Sequence, residues 1–109
     1  MKRLKTKEEL KEYLSQNSLS EILVANLRQD IKLVEECNNN GASPSCLLVA
    51  ESKQEYEQIS KEYNLHNNLP ELKEVILIEG ELWERQVYVL GDAGNGVVVY
   101  VNLAIGGNK

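Results

Sequence analysis

Apolar residues recur at intervals of three and four over the first third of the chain, and that spacing predicts helices. Leu10, Tyr13 and Leu14 share one face of a segment running from about Lys7 to Gln16. Leu19, Leu23, Leu27, Ile31 and Val34 form the stripe of a longer helix ending near Cys37. Tyr56, Ile59 and Tyr63 mark a third, beginning at Ser52. Thr6 with Glu9, Ser18 with Glu21, and Ser52 with Glu55 each fit S/T-x-x-E at the head of these segments. In that box the hydroxyl accepts from the third residue's N–H while the glutamate reaches back to the cap, so three N-termini are expected. Asn38-Asn39-Asn40-Gly41 supplies a stop, because Asn and Gly tolerate the left-handed backbone that ends helices.

Two short runs, Cys46 to Ala50 and Val75 to Ile78, are apolar without alternation. Both read as interior strands covered on two faces. With the third helix between them they form a right-handed crossover whose strands run parallel. Period two then takes over. Trp83, Arg85, Val87 and Val89 share one face and Leu82, Glu84, Gln86 and Tyr88 the other, while Val97, Val99, Val101 and Leu103 alternate along a last strand. The expected fold is a single α+β domain of order ααβαβββ. Its four-stranded mixed sheet, one parallel βαβ crossover plus a C-terminal antiparallel hairpin, packs with three helices; residues 1–5 and 105–109 are expected to fray.

Between the last two strands lies Gly91-Asp92-Ala93-Gly94-Asn95-Gly96. A phosphate-cradling glycine loop leads from a strand into a helix, whose N-terminal N–H groups meet the anion. Here Val97-Val98-Val99-Tyr100-Val101 comes next, so the glycines read as a hairpin corner. A three-residue loop, Gly94 to Gly96 with Gly96 left-handed, would pair Ala93 with Val97. Val89 would then stack on Val101 and Val87 on Leu103, with Leu90 beside Tyr100 on the reverse.

At 109 residues, 42% apolar and 27% charged, the chain has the make-up of one globular domain. No apolar run approaches the roughly 18 residues of a membrane helix. The basic segment Met1 to Lys7 leads into polar sequence, so no secretory signal is expected and cytoplasmic residence is. Cys37 and Cys46 are expected as reduced thiols. The net charge of −5 arises in residues 51–85, where nine acids face four bases. A nucleic-acid binder needs the opposite field, and neither nucleic acid nor membrane is an expected partner.

Candidate chemistry is sparse. Cys37, Cys46 and His66 are too few for a conventional zinc site, and Cys46 reads as core, so neither a catalytic pair, a metal nor a cofactor is expected. Glu71, Glu74, Glu79, Glu81 and Glu84 cluster around one turn, where acids ordinarily keep a sheet soluble. Tyr88, Tyr100, Leu82 and Leu90 would make an exposed patch if no helix covers their face.

These observations favour a binding module over an enzyme. An acidic surface suits a basic protein partner, because complementary fields speed association. An immunity protein or antitoxin neutralising a basic toxin is one concrete form. Glu55, Glu57, Glu62, Glu79, Glu81 and Glu84 would steer the partner, with Trp83 or Tyr88 as anchor. The alternative is a ligand-binding domain or enzyme with a pocket between the third helix and the hairpin, lined by Glu84, Arg85, His66 and Asp92. Homodimerisation through an edge strand at Val97 to Leu103 is a third expectation.

Overall fold

The computed structural model describes residues 3–89 and 96–106 of the chain. Among these, helices α1 (Lys7–Gln16), α2 (Glu21–Asn39) and α3 (Lys53–Tyr63) accompany strands β1 (Cys46–Ala50), β2 (Leu72–Ile78), β3 (Glu81–Tyr88) and β4 (Val97–Asn102). The order is the expected ααβαβββ, in one α+β domain. None of the helices is long and apolar enough to cross a membrane.

The expected hydroxyl cap forms at two of three places, and the reciprocal glutamate contact to the cap at one of them. Thr6 and Glu9 form the full reciprocal box on α1, and Ser52 Oγ accepts from Glu55 N–H on α3 at 3.1 Å. The cap of α2 is Ser20 rather than Ser18, its hydroxyl accepting from Leu23 N–H at 3.1 Å. Starting two residues later leaves Leu19 ahead of the helix, where it packs on the core. At the other end Gly41, at φ +66°, lets Ala42 N–H return to the Cys37 carbonyl at 2.7 Å and close the last turn.

The sheet runs β1-β4-β3-β2. β1 and β4 are parallel, and β4, β3 and β2 are successively antiparallel. β1 and β2 therefore point the same way, as the crossover reading has it, but at opposite edges. Helices α1 and α2 cover the face that carries Leu47, Val49, Tyr100, Val98 and Trp83. Ile59 of α3 packs on the other, over Cys46, Leu48, Ala50, Val97 and Val99. All five residues of β1 are buried accordingly.

β2 departs from expectation. Ile78 is buried, while Val75 and Leu77 on the α3 face are 58% and 66% exposed. The single helix on that face packs against β1 and leaves the far edge uncovered. The uniform apolar run resulted from one covered face and one open one. β4 lies between β1 and β3, so it is no edge strand and cannot carry the expected homodimer pairing.

Register departs too. Tyr88 pairs with Val97, Val87 with Val98 and Arg85 with Tyr100. Against the expected match of Ala93 with Val97, β3 has slid by five residues, and an odd shift turns one strand over relative to its partner. Tyr88 and Tyr100 consequently lie on opposite faces and not on the expected shared one, and both are core, so the patch that an uncovered face would have exposed does not form; Leu82 alone of its described members is exposed. Matching apolar to apolar failed because Arg85 is not a solvent residue here. It pairs beside Tyr100 so that both reach Asp30 of α2.

Gly94, Asn95 and Leu90 lie outside the described residues, but the pairing of Tyr88 with Val97 leaves a connection far longer than the expected three residues, and Gly96 is not in the expected left-handed conformation. Gly96, which is described, has no room for a side chain: an added Cβ would collide with the Tyr88 carbonyl oxygen and stand 2.8 Å from Ser43 Cβ. Strand β4 begins directly after Gly96, as the corner reading requires. The N-terminal segment is not frayed at Leu4, which is 1% exposed and exchanges backbone bonds of 3.0 and 2.8 Å with Leu47. Leu4 thereby blocks the outer edge of β1.

Candidate functional site

Three strands, β1, β2 and β4, end at the same edge of the sheet because they run in the same direction. Carboxyl ends of parallel strands are where connections diverge and leave a crevice. Here Glu51 leaves β1, Glu79 and Glu81 come from the β2–β3 turn, and Asn102 closes β4. The α1–α2 joint, Ser18 to Ser20, forms the opposite bank. These residues line a groove of about 550 Å³ whose apolar floor is Leu23, Ile78 and Trp83.

Several contacts hold the acids in place. Ile78 pairs with Glu81, so Glu79 and Gly80 form a two-residue hairpin turn, at φ +49° and +84°. Such a turn needs positive φ at both positions and is normally built from Asn, Asp or Gly. Glu79 occupies it against that preference. Tyr13 of α1 donates its hydroxyl to Glu51, whose own N–H donates to Glu55 Oε1 at 2.8 Å. Burial first, then the bond to Glu51, push the Tyr13 hydroxyl far above the ordinary tyrosine range, so it remains a donor. Asn102 Nδ2 stands 3.5 Å from Glu81 Oε1.

The sequence-derived partner-binding set is divided by the fold. Glu79, Glu81 and Trp83 meet at the groove, and Glu55 adjoins it through Glu51. Trp83, at 5% exposure, is a floor rather than a projecting anchor. Glu57 is exposed on α3, and Glu62 pairs with Arg3. Glu84 lies on the α3 face of the sheet, 3.8 Å from Lys73 Nζ and 2.7 Å from Gln86 Nε2. Tyr88 is core, its hydroxyl donating to Gln86 Oε1 at 2.9 Å.

The alternative pocket does not assemble from its proposed lining. Glu84 and Arg85 are consecutive on a strand and point to opposite faces, which no single pocket can join. His66 is exposed in the turn Leu65–Asn67, and Asp92 lies outside the described residues. Cys37 and Cys46 are free thiols. Desolvation raises the pKa of each, opposite to the direction that activates a nucleophile. Among the described residues no cluster of His, Cys, Asp and Glu is placed to hold a metal ion.

Sequence reading missed Glu51, Asn102 and the Ser18 to Ser20 bank. Glu51 carried one local signal, an acid placed directly after a fully buried strand. Asn102 is brought to the groove only by strand order, and Ser18 to Ser20 only by the packing of α1 and α2 on the sheet. Also unforeseen is the pair beneath α2, where Arg85 donates to Asp30 Oδ2 and Oδ1 at 2.8 and 2.7 Å, with Tyr100 donating to the same carboxylate. This network ties helix to sheet and does not border the groove.

No protein-family model, curated protein or solved structure matches the chain.

Proposed function

We propose that the chain is an acidic protein-interaction module that receives a basic partner at the groove on the sheet's end. One observation carries the reading: Glu51, Glu79 and Glu81, from two separate connections, line a groove that has no basic side chain among its described lining residues. Carboxylates on one groove reinforce one another where they lie within a Debye length, about 8 Å at physiological salt. A lysine or arginine entering the groove would meet the carboxylates with its head and lay its aliphatic stem along Trp83 and Ile78. The net charge of −5 adds long-range attraction for a basic protein.

Glu79 supports the same reading independently. Non-glycine residues held at positive φ cost about 1 kcal/mol or more, and such positions tend to occur where function requires them. Asparagine or glycine would relieve that cost, and neither would present a carboxylate to the groove. Neutralising or regulating a basic protein, in the manner of an immunity protein or antitoxin, is the role this surface suits.

The test is capture from the native organism's lysate, with retained proteins identified by mass spectrometry. Wild type is compared with Glu51→Gln/Glu79→Lys/Glu81→Lys, whose new amide at position 51 can still accept from Tyr13, and with Glu57→Lys as control. A basic protein retained by wild type and control, lost from the triple variant and released as salt rises, is expected. Equal retention by the triple variant, or no basic protein on any of the three, would overturn the reading.

A further inference from the structure

A second concavity, of about 460 Å³, opens between α1 and α2. Lys7 and Lys11 line it from α1, and Arg28 and Lys32 from α2. Four of the chain's 12 basic residues thus meet at one place, in a protein with 17 acids, and no carboxylate is among the described lining residues. The apolar part of the lining is Leu10, Leu14 and Ile31.

The arrangement runs against helix stability. Lys7 and Lys11 are four residues apart, as are Arg28 and Lys32, and like charges at that spacing repel along a helix. The two pairs also border the same groove, which adds repulsion between helices. Lys7 has partial relief from Glu35 Oε1 at 3.9 Å. Lys11, Arg28 and Lys32 have no carboxylate within 4.0 Å among the described residues. Three unpaired cations around an apolar floor call for an anion that also has an apolar part.

We infer that the groove binds a small anionic amphiphile, with a carboxylate or phosphate head and a short acyl or aromatic body. The head sits among Lys11, Arg28 and Lys32, where the planar arginine fork can grip two oxygens at once. The body lies over Leu14, between the aliphatic stems of the lysines. The volume falls in the range of about 300–1,000 Å³ common to small-ligand sites. An acidic amphipathic helix fits less well. It needs an exposed apolar strip to take side chains at i, i+3, i+4 and i+7. Leu10 and Ile31 are only 2% and 1% exposed, already committed to the core, so half-buried Leu14 is the apolar residue left open on the floor.

The site is distinct from the acidic groove and does not depend on it. It is tested by titrating the folded protein with octanoate, octyl phosphate, octanol and inorganic phosphate, all below micelle-forming concentrations. Binding is located by amide shifts in a ¹⁵N correlation spectrum and quantified by calorimetry. The variant Arg28→Gln/Lys32→Gln changes two exposed side chains of α2, and Lys61→Gln on α3 is the control. At least one amphiphile is expected to shift amides of residues 7–14 and 28–32 saturably, and the two heads compared assign carboxylate or phosphate. Affinity should fall about tenfold or more in the double variant and hold in the control. Octanol and inorganic phosphate should bind about tenfold weaker than the better amphiphile, or not at all. The double variant should also melt no lower than wild type, because a repulsive pair has been removed, which separates lost binding from lost fold. Absence of these shifts with both amphiphiles, undiminished affinity in the double variant, or equal binding of octanol or inorganic phosphate would overturn the inference.

Discussion

Replacing Arg85 with leucine removes the two bonds that Asp30 receives from the guanidinium and leaves its carboxylate with Tyr100 alone. The site can bring in little water, since the side chains of Arg85 and Asp30 are 14% and 7% exposed. Breaking a buried pair from one side costs about 3–5 kcal/mol, because the surviving charge remains desolvated. The third contact, Arg85 Nη1 to Glu74 Oε1 at 3.1 Å, adds little, as Glu74 is 48% exposed. With an m-value of about 1.5 kcal/mol/M the urea midpoint should drop by about 2–3 M. Trp83 is the chain's one tryptophan, is buried and lies on the same sheet face two residues away, so its fluorescence reports the transition. The double variant Asp30→Leu/Arg85→Leu should recover much of the loss, since no buried charge is then stranded. A cost below about 1 kcal/mol for Arg85→Leu is the level of an exposed ion pair. That result would refute the burial of the pair, and with it the β3–β4 register that sets Arg85 beside Tyr100.

Two further outcomes are expected. Leu4→Ala should destabilise the fold by about 2–5 kcal/mol in urea unfolding, the usual cost for a core leucine; an unchanged midpoint would mean the segment is loose after all. Burial, then the nearness of Tyr56 and Glu84, push the Tyr88 hydroxyl up to about 12 from its ordinary 10.0. A folded pKa above the unfolded one gives stability that is complete below about pH 10 and is lost as pH rises toward 12. Urea midpoints measured from pH 9 to 11.5 should therefore fall less steeply for Tyr88→Phe than for wild type, while Tyr13 and Tyr100, also raised, continue to contribute in both. Identical slopes would contradict the shift.

Local chemistry was legible because its causes are a few residues apart. The Thr6–Glu9 box and the Leu10–Leu14 spacing place α1 at Lys7–Gln16, and the apolar run Cys46 to Ala50 is β1 to the residue. The valines after the glycines exclude a phosphate loop for the same reason: whether a helix or a strand comes next is a short-range property. Ser18 misled because Ser20 offers an equivalent hydroxyl two residues on, and the choice rests on how Leu19 and Leu23 meet the core.

What the amino-acid sequence alone determined was the set of elements, their order and the acidic bias of residues 51–85. Only tertiary structure decided which strand lies beside which, and that choice assembles the acidic groove. A strand's period of two says which residues share a face but not which face meets a helix, so Val75 and Leu77 passed for interior residues. Register depended on Asp30, 55 residues from Arg85, because a buried charge must find its partner wherever the chain folds it. The acidic groove gathers Ser18, Glu51, Glu79, Glu81 and Asn102 across most of the chain's length. Glu79 and Glu81 share one turn, but no local pattern links that turn to Ser18, Glu51 or Asn102. They meet because β1, β2 and β4 run the same way and end together, beside the joint between the two helices that cover one face of the sheet.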